Sequence, residues 1–217
     1  MNRRRESKGL KPKQVTELTA GWHHARRIGY PLNAFITIRP TGIHDPSAFC
    51  ALWRSIRNKL GTYARQHGFP FVAAWSRECQ PGGSNEHLHV LMHMPRKHFE
   101  KLSTRVLSWF PEPGVVDVRH ANQRVTIRAR GIQGSAIGYL VKQMTPQARW
   151  KRNLNRKAGG AILGKRGGVT KNIGPAAIEH YFNEQRDLRR RPLEASVEAP
   201  PLSADLAHPP VSAKLAA

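Results

Sequence analysis

His87 and His89 alternate with apolar residues in the run EHLHVLMHM, a pattern that suggests metal chemistry. In a β-strand, residues two positions apart project from the same face. The two imidazoles would therefore lie side by side, with backbones about 7 Å apart, and could bind one metal ion. His93 shares this face but lies about 13 Å beyond His89, too far to join such a site. Ordinary histidines on a half-exposed strand would show the same pattern.

A third ligand follows from the hairpin that this strand would form with the run before it. If residues 80–85 form the connecting loop, Glu78 lies directly across from His87. Cross-strand neighbours share a face and lie about 5 Å apart, so Glu78 could bring a carboxylate to the imidazoles. A register shift of one residue would put Glu86 in its place.

A second chemical group is predicted in the run GYLVKQ, which we expect to be helical. Tyr139, Lys142 and Gln143 would share one helix face because they lie three and four residues apart. A phenol becomes a useful nucleophile when a nearby cation favours the phenolate and a metal withdraws charge from a target phosphate. The alternative is a rim aromatic beside a solvated lysine and an incidental glutamine.

The elements that would position these residues predict an α+β fold. Strands are predicted in NAFITIRP, FPFVAAWSREC, EHLHVLMHM, GVVDVRH and RVTIRAR, the last two forming a hairpin. Helices are predicted from Asp45 to near Gly68 and in the runs RKHFEKLSTRVLSWF, GIQGSAIGYLVKQM and PAAIEHYFNEQRDLRRR. Two hairpins separated by helices favour an antiparallel sheet with helices packed on it.

The charge of the chain predicts a polyanionic partner. Its 217 residues carry 36 Lys and Arg against 14 Asp and Glu, a formal net charge of +22, and nucleic acid is the polyanion that such a balance favours. The two cysteines form no CxxC pair, which suits a reducing cytoplasm. We find no signal peptide and no apolar run long enough to span a membrane, and expect no membrane partner.

Three motifs, FITIRP, HLHVLMH and YLVK in this order, resemble those of rolling-circle replication initiators of the HUH endonuclease superfamily. The resemblance covers residues 33–143. The tyrosine follows the histidines, as in the replication initiators (Rep proteins) and unlike the relaxases. The resemblance implies a five-stranded antiparallel sheet, in agreement with the number of predicted strands.

The resemblance also implies an activity, the nicking and joining of single-stranded DNA at the replication origin of a plasmid or phage-like element. His87, His89 and a third polar residue would hold a divalent ion, and Tyr139 would form a 5′-phosphotyrosine link, with Lys142 as cationic helper. Imidazole and carboxylate ligands suit Mn²⁺ better than Mg²⁺, although Mg²⁺ could serve.

Two alternatives remain open on the sequence. Gln143 completes the Tyr-x-x-x-Gln pattern of single-tyrosine HUH transposases, in which the glutamine joins the metal, so Gln143 competes with Glu78 as third ligand. The other alternative, from a different class, is a non-catalytic protein that binds nucleic acid through its charge alone.

The predicted organisation is a basic N-terminal arm over residues 1–31, an HUH nuclease domain over 32–146, a basic DNA-binding extension with a terminal helix over 147–191, and a disordered tail over 192–217. No Walker-type phosphate loop occurs, so we expect no nucleotide cofactor and a separate host helicase. The residues predicted to contact DNA lie in the extension, where Trp150 could stack on a base: Arg149, Trp150, Lys151, Arg152, Arg156, Lys157, Lys165, Arg166 and Lys171.

Overall fold

The computed structural model describes residues 6–43, 45–81, 85–121, 126–128, 131–133, 135–148 and 159–190. These residues divide between Tyr181 and Phe182 into two units, and the second contains the end of the last helix. The elements are, in chain order, β1 Glu6–Ser7, α1 Pro12–Arg27, β2 Ala34–Ile38, α2 Pro46–Gln66, β3 Ala73–Glu78, β4 His87–Met92, α3 Phe99–Ser108, β5 Val116–His120, β6 Thr126–Arg128, β7 Gly131–Gln133, α4 Ala136–Leu140, β8 Ile162–Leu163, β9 Gly167–Val169 and α5 Pro175–Arg190. Short 3₁₀ turns precede α3 and α5.

A five-stranded sheet in the order β5-β2-β4-β3-β9 forms the centre of the first unit, and every neighbouring pair in it is antiparallel. This confirms the predicted α+β class and the predicted five-stranded antiparallel sheet. Two smaller sheets pair β1 with β8 and β6 with β7. Among the described residues, no helix is both long and apolar enough to cross a membrane.

Alternation along the strands divides the core into two apolar clusters, one on each face of the sheet. On one face, Ile36, Leu88 and Val90 pack with residues of α2 and α3. On the other face, Ala74 and Leu91 pack with residues of α1 and α4. A strand that is buried on both faces needs apolar side chains at nearly every position, so polar side chains inside β3 and β4 stand out.

Helix α1 belongs to the core of the sheet. Val15, Leu18, Trp22 and Ala25 repeat at three- and four-residue spacing, and all four are buried against the second cluster. The basic arm predicted over residues 1–31 therefore contains a packed helix. Its charged residues lie on the outer face, while the buried stripe stabilises the sheet face that carries the histidines.

Helix α2 begins where the sequence predicts. The Asp45 carboxylate accepts hydrogen bonds from the backbone N–H groups of Ser47, at 2.8 Å, and Ala48, at 3.2 Å. Pro46 occupies the first turn, where a missing N–H costs nothing. The apolar stripe then packs against the sheet through Phe49, Trp53, Ile56, Leu60 and Tyr63.

The prediction of the fifth strand was wrong. GVVDVRH and RVTIRAR do not form a hairpin, because β5 pairs with β2 and β6 pairs with β7. The fifth strand is β9, which comes from the basic segment and pairs with β3. It has three residues and two of them are glycine, so its composition gave no strand signal.

The helix predicted in GIQGSAIGYLVKQM is also shorter than expected. Its first residues form β7, and α4 covers only Ala136–Leu140. The Ser135 hydroxyl caps the helix by accepting a hydrogen bond from the N–H of Gly138. Lys142 and Gln143 lie beyond the last helical residue, so a shared helical face does not determine their positions.

Candidate metal centre and tyrosine

Three metal-ligating side chains meet at the ends of β3 and β4. The β3–β4 ladder pairs Glu78 with His87 and Ser76 with His89, which confirms the predicted register. Because alternate residues share a face, Glu78, His87 and His89 all project toward α4, and Leu88 points into the opposite cluster. The one-residue shift that would have exchanged Glu86 for Glu78 does not occur.

The ligand atoms of this cluster are close enough to share one ion. The Nε2 atoms of His87 and His89 lie 3.2 Å and 3.1 Å from the same Glu78 oxygen, Oε2. One ligand atom from each of the three residues lies within 4.8 Å of the others. Glu78 and His89 are buried, whereas the side chain of His87 keeps 18 % of its exposure. The cluster could therefore hold a divalent metal ion at the edge of the core.

The protonation pattern of the histidines fits a cation. His87 Nδ1 lies 2.9 Å from the carbonyl oxygen of Asn85, which can only accept, so Nδ1 carries a proton and Nε2 is the nitrogen that a cation could bind in place of its own proton. His89 Nδ1 lies 3.0 Å from the Thr37 hydroxyl, which can accept in the same way. A cation that displaced the Nε2 protons from Glu78 would meet two imidazole lone pairs and a carboxylate oxygen, with the Nδ1 partners holding both rings in place.

An unsatisfied oxygen supports the same conclusion. Among the described residues, Glu78 Oε1 is buried and has no hydrogen-bond partner. A buried carboxylate oxygen without a partner costs free energy, and a metal ion is one way to remove that cost. The residues present therefore fit a divalent ion, with Glu78, His87 and His89 as the side chains that would hold it.

Electrostatics keep the cluster in its metal-binding state. Burial by itself raises the pKa of Glu78, but the hydrogen bonds with His87 and His89 and the charge of Lys142 outweigh burial and hold that pKa well below its usual range. Burial lowers the pKa of His89, although Glu78 opposes this effect. An ionised carboxylate beside a neutral imidazole is the form that binds metal.

Lys142 connects the cluster to the tyrosine. Its Nζ lies 2.7 Å from Glu78 Oε2 and 3.5 Å from the centre of the Tyr139 ring. The residue follows the end of α4, and its backbone N–H donates to the carbonyl of Tyr139. The structure thus brings Lys142 and Tyr139 together, as the sequence predicts, through a turn in place of a helical face.

Tyr139 lies beside the metal-binding cluster. Its ring packs edge-on against His89, with centroids 5.0 Å apart, and against Phe35 of β2, at 5.5 Å. The side chain remains 39 % exposed, so a ligand can reach it from solvent. Placement of a phenol beside a buried metal cluster, with an ammonium group over its ring, suits nucleophilic attack on a phosphate.

Gln143 forms its hydrogen bonds with partners outside the cluster. Its Oε1 accepts a hydrogen bond from Arg166 Nη1 at 2.7 Å, and its Nε2 donates to the carbonyl of Cys79 at 3.1 Å. Both ends of the amide are therefore engaged. Glu78, rather than Gln143, is the third side chain that the structure brings to the two histidines.

The predicted DNA-contact residues that the structure describes differ in their exposure. Lys165 and Lys171 are exposed. Arg166 is fully buried, and its guanidinium also donates to the carbonyl oxygens of Ser7 and Gly160, so it is not presented to a phosphate. The remaining six, together with the predicted tail over residues 192–217, lie outside the described residues: Arg149, Trp150, Lys151, Arg152, Arg156 and Lys157.

The sequence did not reveal the residues that support the ligands. Thr37 lies in the FITIRP run and is paired with His89 across the β2–β4 ladder, a long-range contact that only the strand order makes visible. Asn85 adopts a positive φ of 53°, and its backbone oxygen, not its side chain, contacts His87. A backbone contact of this kind leaves no signal in residue type.

Comparison of the chain with models of protein families, with curated proteins and with solved structures found no match.

Proposed function

We propose that this chain is a metal-dependent endonuclease and strand transferase that nicks single-stranded DNA through a 5′-phosphotyrosine intermediate. The observation that carries the proposal is the contact of Tyr139 with His89 of the Glu78–His87–His89 cluster. A nucleophile, a metal-binding cluster and a cation within one small region are the components that phosphoryl transfer requires. The cluster favours Mn²⁺, with Mg²⁺ as the alternative, because two of its ligands are imidazoles.

In the proposed reaction, residues of the chain supply the nucleophile and a cation. The Tyr139 phenol loses its proton to solvent, and its oxygen attacks the phosphorus of a backbone phosphodiester. The P–O3′ bond breaks, the 3′ oxygen takes up a proton, and the 5′ phosphate stays on the tyrosine. Lys142 stabilises the phenolate and the incoming phosphate with its charge. A divalent ion bound by the cluster would polarise the phosphate and stabilise its developing charge.

Initiation of rolling-circle replication is the role that we propose for this activity. The order of the motifs supports it, and the hydrogen bonds of Gln143 with Arg166 and Cys79 favour it over the transposase alternative, in which this glutamine joins the metal. The partners would be single-stranded DNA at the origin of a plasmid or phage-like element and a host helicase in the cytoplasm. The net charge of +22 supports the DNA partner.

The first prediction concerns Tyr139 and tests the proposed function. The protein is incubated with Mn²⁺ and a panel of single-stranded circular templates, and products are separated on a denaturing protein gel. We expect a nuclease-sensitive shifted band in the wild type and in the matched control Tyr30→Phe, which alters another exposed tyrosine. Tyr139→Phe should form no adduct while it still binds DNA, and EDTA should abolish the band in every variant.

Retention of cleavage by Tyr139→Phe would exclude this residue as the nucleophile. Cleavage that survives EDTA would exclude the metal. If no variant forms an adduct with any template while DNA binding persists, the non-catalytic nucleic-acid-binding alternative replaces the proposal.

A further inference from the structure

A groove of about 900 Å³ lies away from the metal-binding cluster, on the sheet face that α2 covers. Its walls come from α2, from the segment leading into β3 and from the edge strand β9. Trp75 lines it and belongs to the cluster of α2 and α3, whereas Ser76 and Glu78 alternate with Trp75 and project from the other face. The groove and the proposed active site therefore lie on opposite faces of one sheet.

The floor of the groove is aromatic. The rings of Trp53 and Trp75 contact each other with centroids 4.9 Å apart at a tilt of 48°, and both are buried and close the base of the groove. Phe69 and Phe71 line the wall beside them and are half-buried, so their rings keep an exposed part.

In the ladder, Trp75 is paired with Gly168 of β9, and the side chain of Lys165 lies over this glycine, with Nζ 6.0 Å from the centre of the Trp75 ring. The glycine thus leaves room for the Lys165 side chain beside the indole.

The rim of the groove is basic. Arg57, Arg65 and Lys171 line it and are exposed. Within the described part of the chain, none of the groove-lining residues is acidic and none of these three cations forms an ion pair. Arg57 and Arg65 both lie on α2, two helical turns apart, about 12 Å along its axis.

We propose that this groove binds a stretch of single-stranded DNA. Unpaired bases present flat faces to the half-buried rings of Phe69 and Phe71, and successive phosphates meet the cations of the rim, the combination that characterises single-strand binding. Duplex DNA buries the faces of its bases, and an acidic peptide lacks a series of planar groups. The inference rests on the proposed function, since it assigns the groove to the strand that the opposite face would cut.

Contact of one DNA strand with both the groove and the proposed active site would strengthen binding. A strand held in the groove raises the effective concentration of its neighbouring phosphates at the active site. The groove would thus supply affinity that depends little on sequence, leaving the selection of the nick site to residues near the tyrosine. This division of roles predicts that loss of the groove lowers the affinity for single-stranded DNA of any sequence to a similar degree.

The test compares two double variants with equal loss of charge. Arg57→Ala/Arg65→Ala removes two rim cations, and Arg54→Ala/Arg105→Ala removes two exposed cations that do not line the groove. Affinity for a short fluorescein-labelled oligothymidylate is measured by anisotropy over a series of salt concentrations, with EDTA present. Loss of two phosphate contacts should lower the salt slope by about 1.4 and weaken binding about 25-fold at about 0.1 M salt. The control should bind nearly as the wild type does.

Unchanged binding by the groove variant, or equal weakening in both variants, would overturn the inference. A loss confined to labelled oligoglutamate would overturn it as well, because the groove would then be a peptide site. Circular dichroism verifies that both variants are folded. Since EDTA excludes cleavage, a protein that shows the groove effect but forms no Tyr139 adduct loses the proposed function alone.

Discussion

The proton positions on His87 and His89 decide whether the cluster accepts a cation. Asn85 fixes the tautomer of His87 through its carbonyl, and Thr37 occupies the same position relative to His89. Such outer partners orient imidazole ligands and raise their basicity. The residues that support the proposed centre therefore include Thr37 of β2, which is buried like His89.

Removal of the Thr37 hydroxyl should weaken metal binding without unfolding the protein. Thr37→Val keeps the shape of the side chain but leaves His89 Nδ1 without its partner, so we expect a loss of Mn²⁺ affinity of about 10- to 100-fold. Titration calorimetry measures it. Ser76→Ala is the matched control, because Ser76 faces His89 from β3 and its hydroxyl has no partner among the described residues.

An equal loss of affinity in Ser76→Ala would contradict the role of Thr37, since both variants remove one buried hydroxyl beside the same ring. Equal affinity of Thr37→Val and the wild type would contradict it directly.

At the scale of the elements, the loop between β3 and β4 sets the position of the outermost ligand. Asn85 begins this placement with a left-handed backbone, φ 53°, which turns its carbonyl toward His87 Nδ1. Asparagine tolerates this conformation better than most residues. The loop residue is thus tied to the ligand by backbone geometry.

Substitutions of Asn85 should separate backbone geometry from side-chain chemistry. Asn85→Gly adopts the same φ without strain and should bind Mn²⁺ as the wild type does. Asn85→Val is β-branched and disfavours positive φ by about 1–2 kcal/mol, so the carbonyl should move and the Mn²⁺ affinity should fall. Titration calorimetry of both variants measures this difference. Weak Mn²⁺ binding by Asn85→Gly would show that the side-chain amide of the asparagine, and not its backbone carbonyl, supports metal binding.

The strands and helices also show which parts of the fold could be predicted from the sequence and which could not. The register of Glu78 with His87 was predictable because turn residues mark the β3–β4 connection and strand alternation restricts the pairing. The pairing of β3 with β9 on its other side could not be predicted, because Gly167 and Gly168 have low strand propensity. The end of α4 was also missed, since Lys142 and Gln143 favour helix locally but are held by tertiary contacts with Glu78 and Arg166.

At the scale of the whole molecule, Arg166 joins segments that are far apart in sequence. Its guanidinium donates to Gln143 Oε1 and to the carbonyls of Ser7 and Gly160. Gln143 in turn donates to the carbonyl of Cys79, next to Glu78 of the candidate metal centre. The fully buried arginine therefore connects the N-terminal segment, the end of the tyrosine segment and the β3–β4 hairpin.

Replacement of Arg166 distinguishes a structural arginine from a DNA-binding one. Arg166→Met retains the stem but leaves three partly buried acceptors without this donor, so we expect the free energy of unfolding to fall by about 3 kcal/mol. Lys171→Met, at an exposed position, should change it by less than about 0.5 kcal/mol while it weakens DNA binding. Urea unfolding and anisotropy measure the two effects. A stable Arg166→Met protein that binds DNA poorly would return this residue to the nucleic-acid interface, because only an accessible guanidinium can lose a phosphate contact without a cost to the fold.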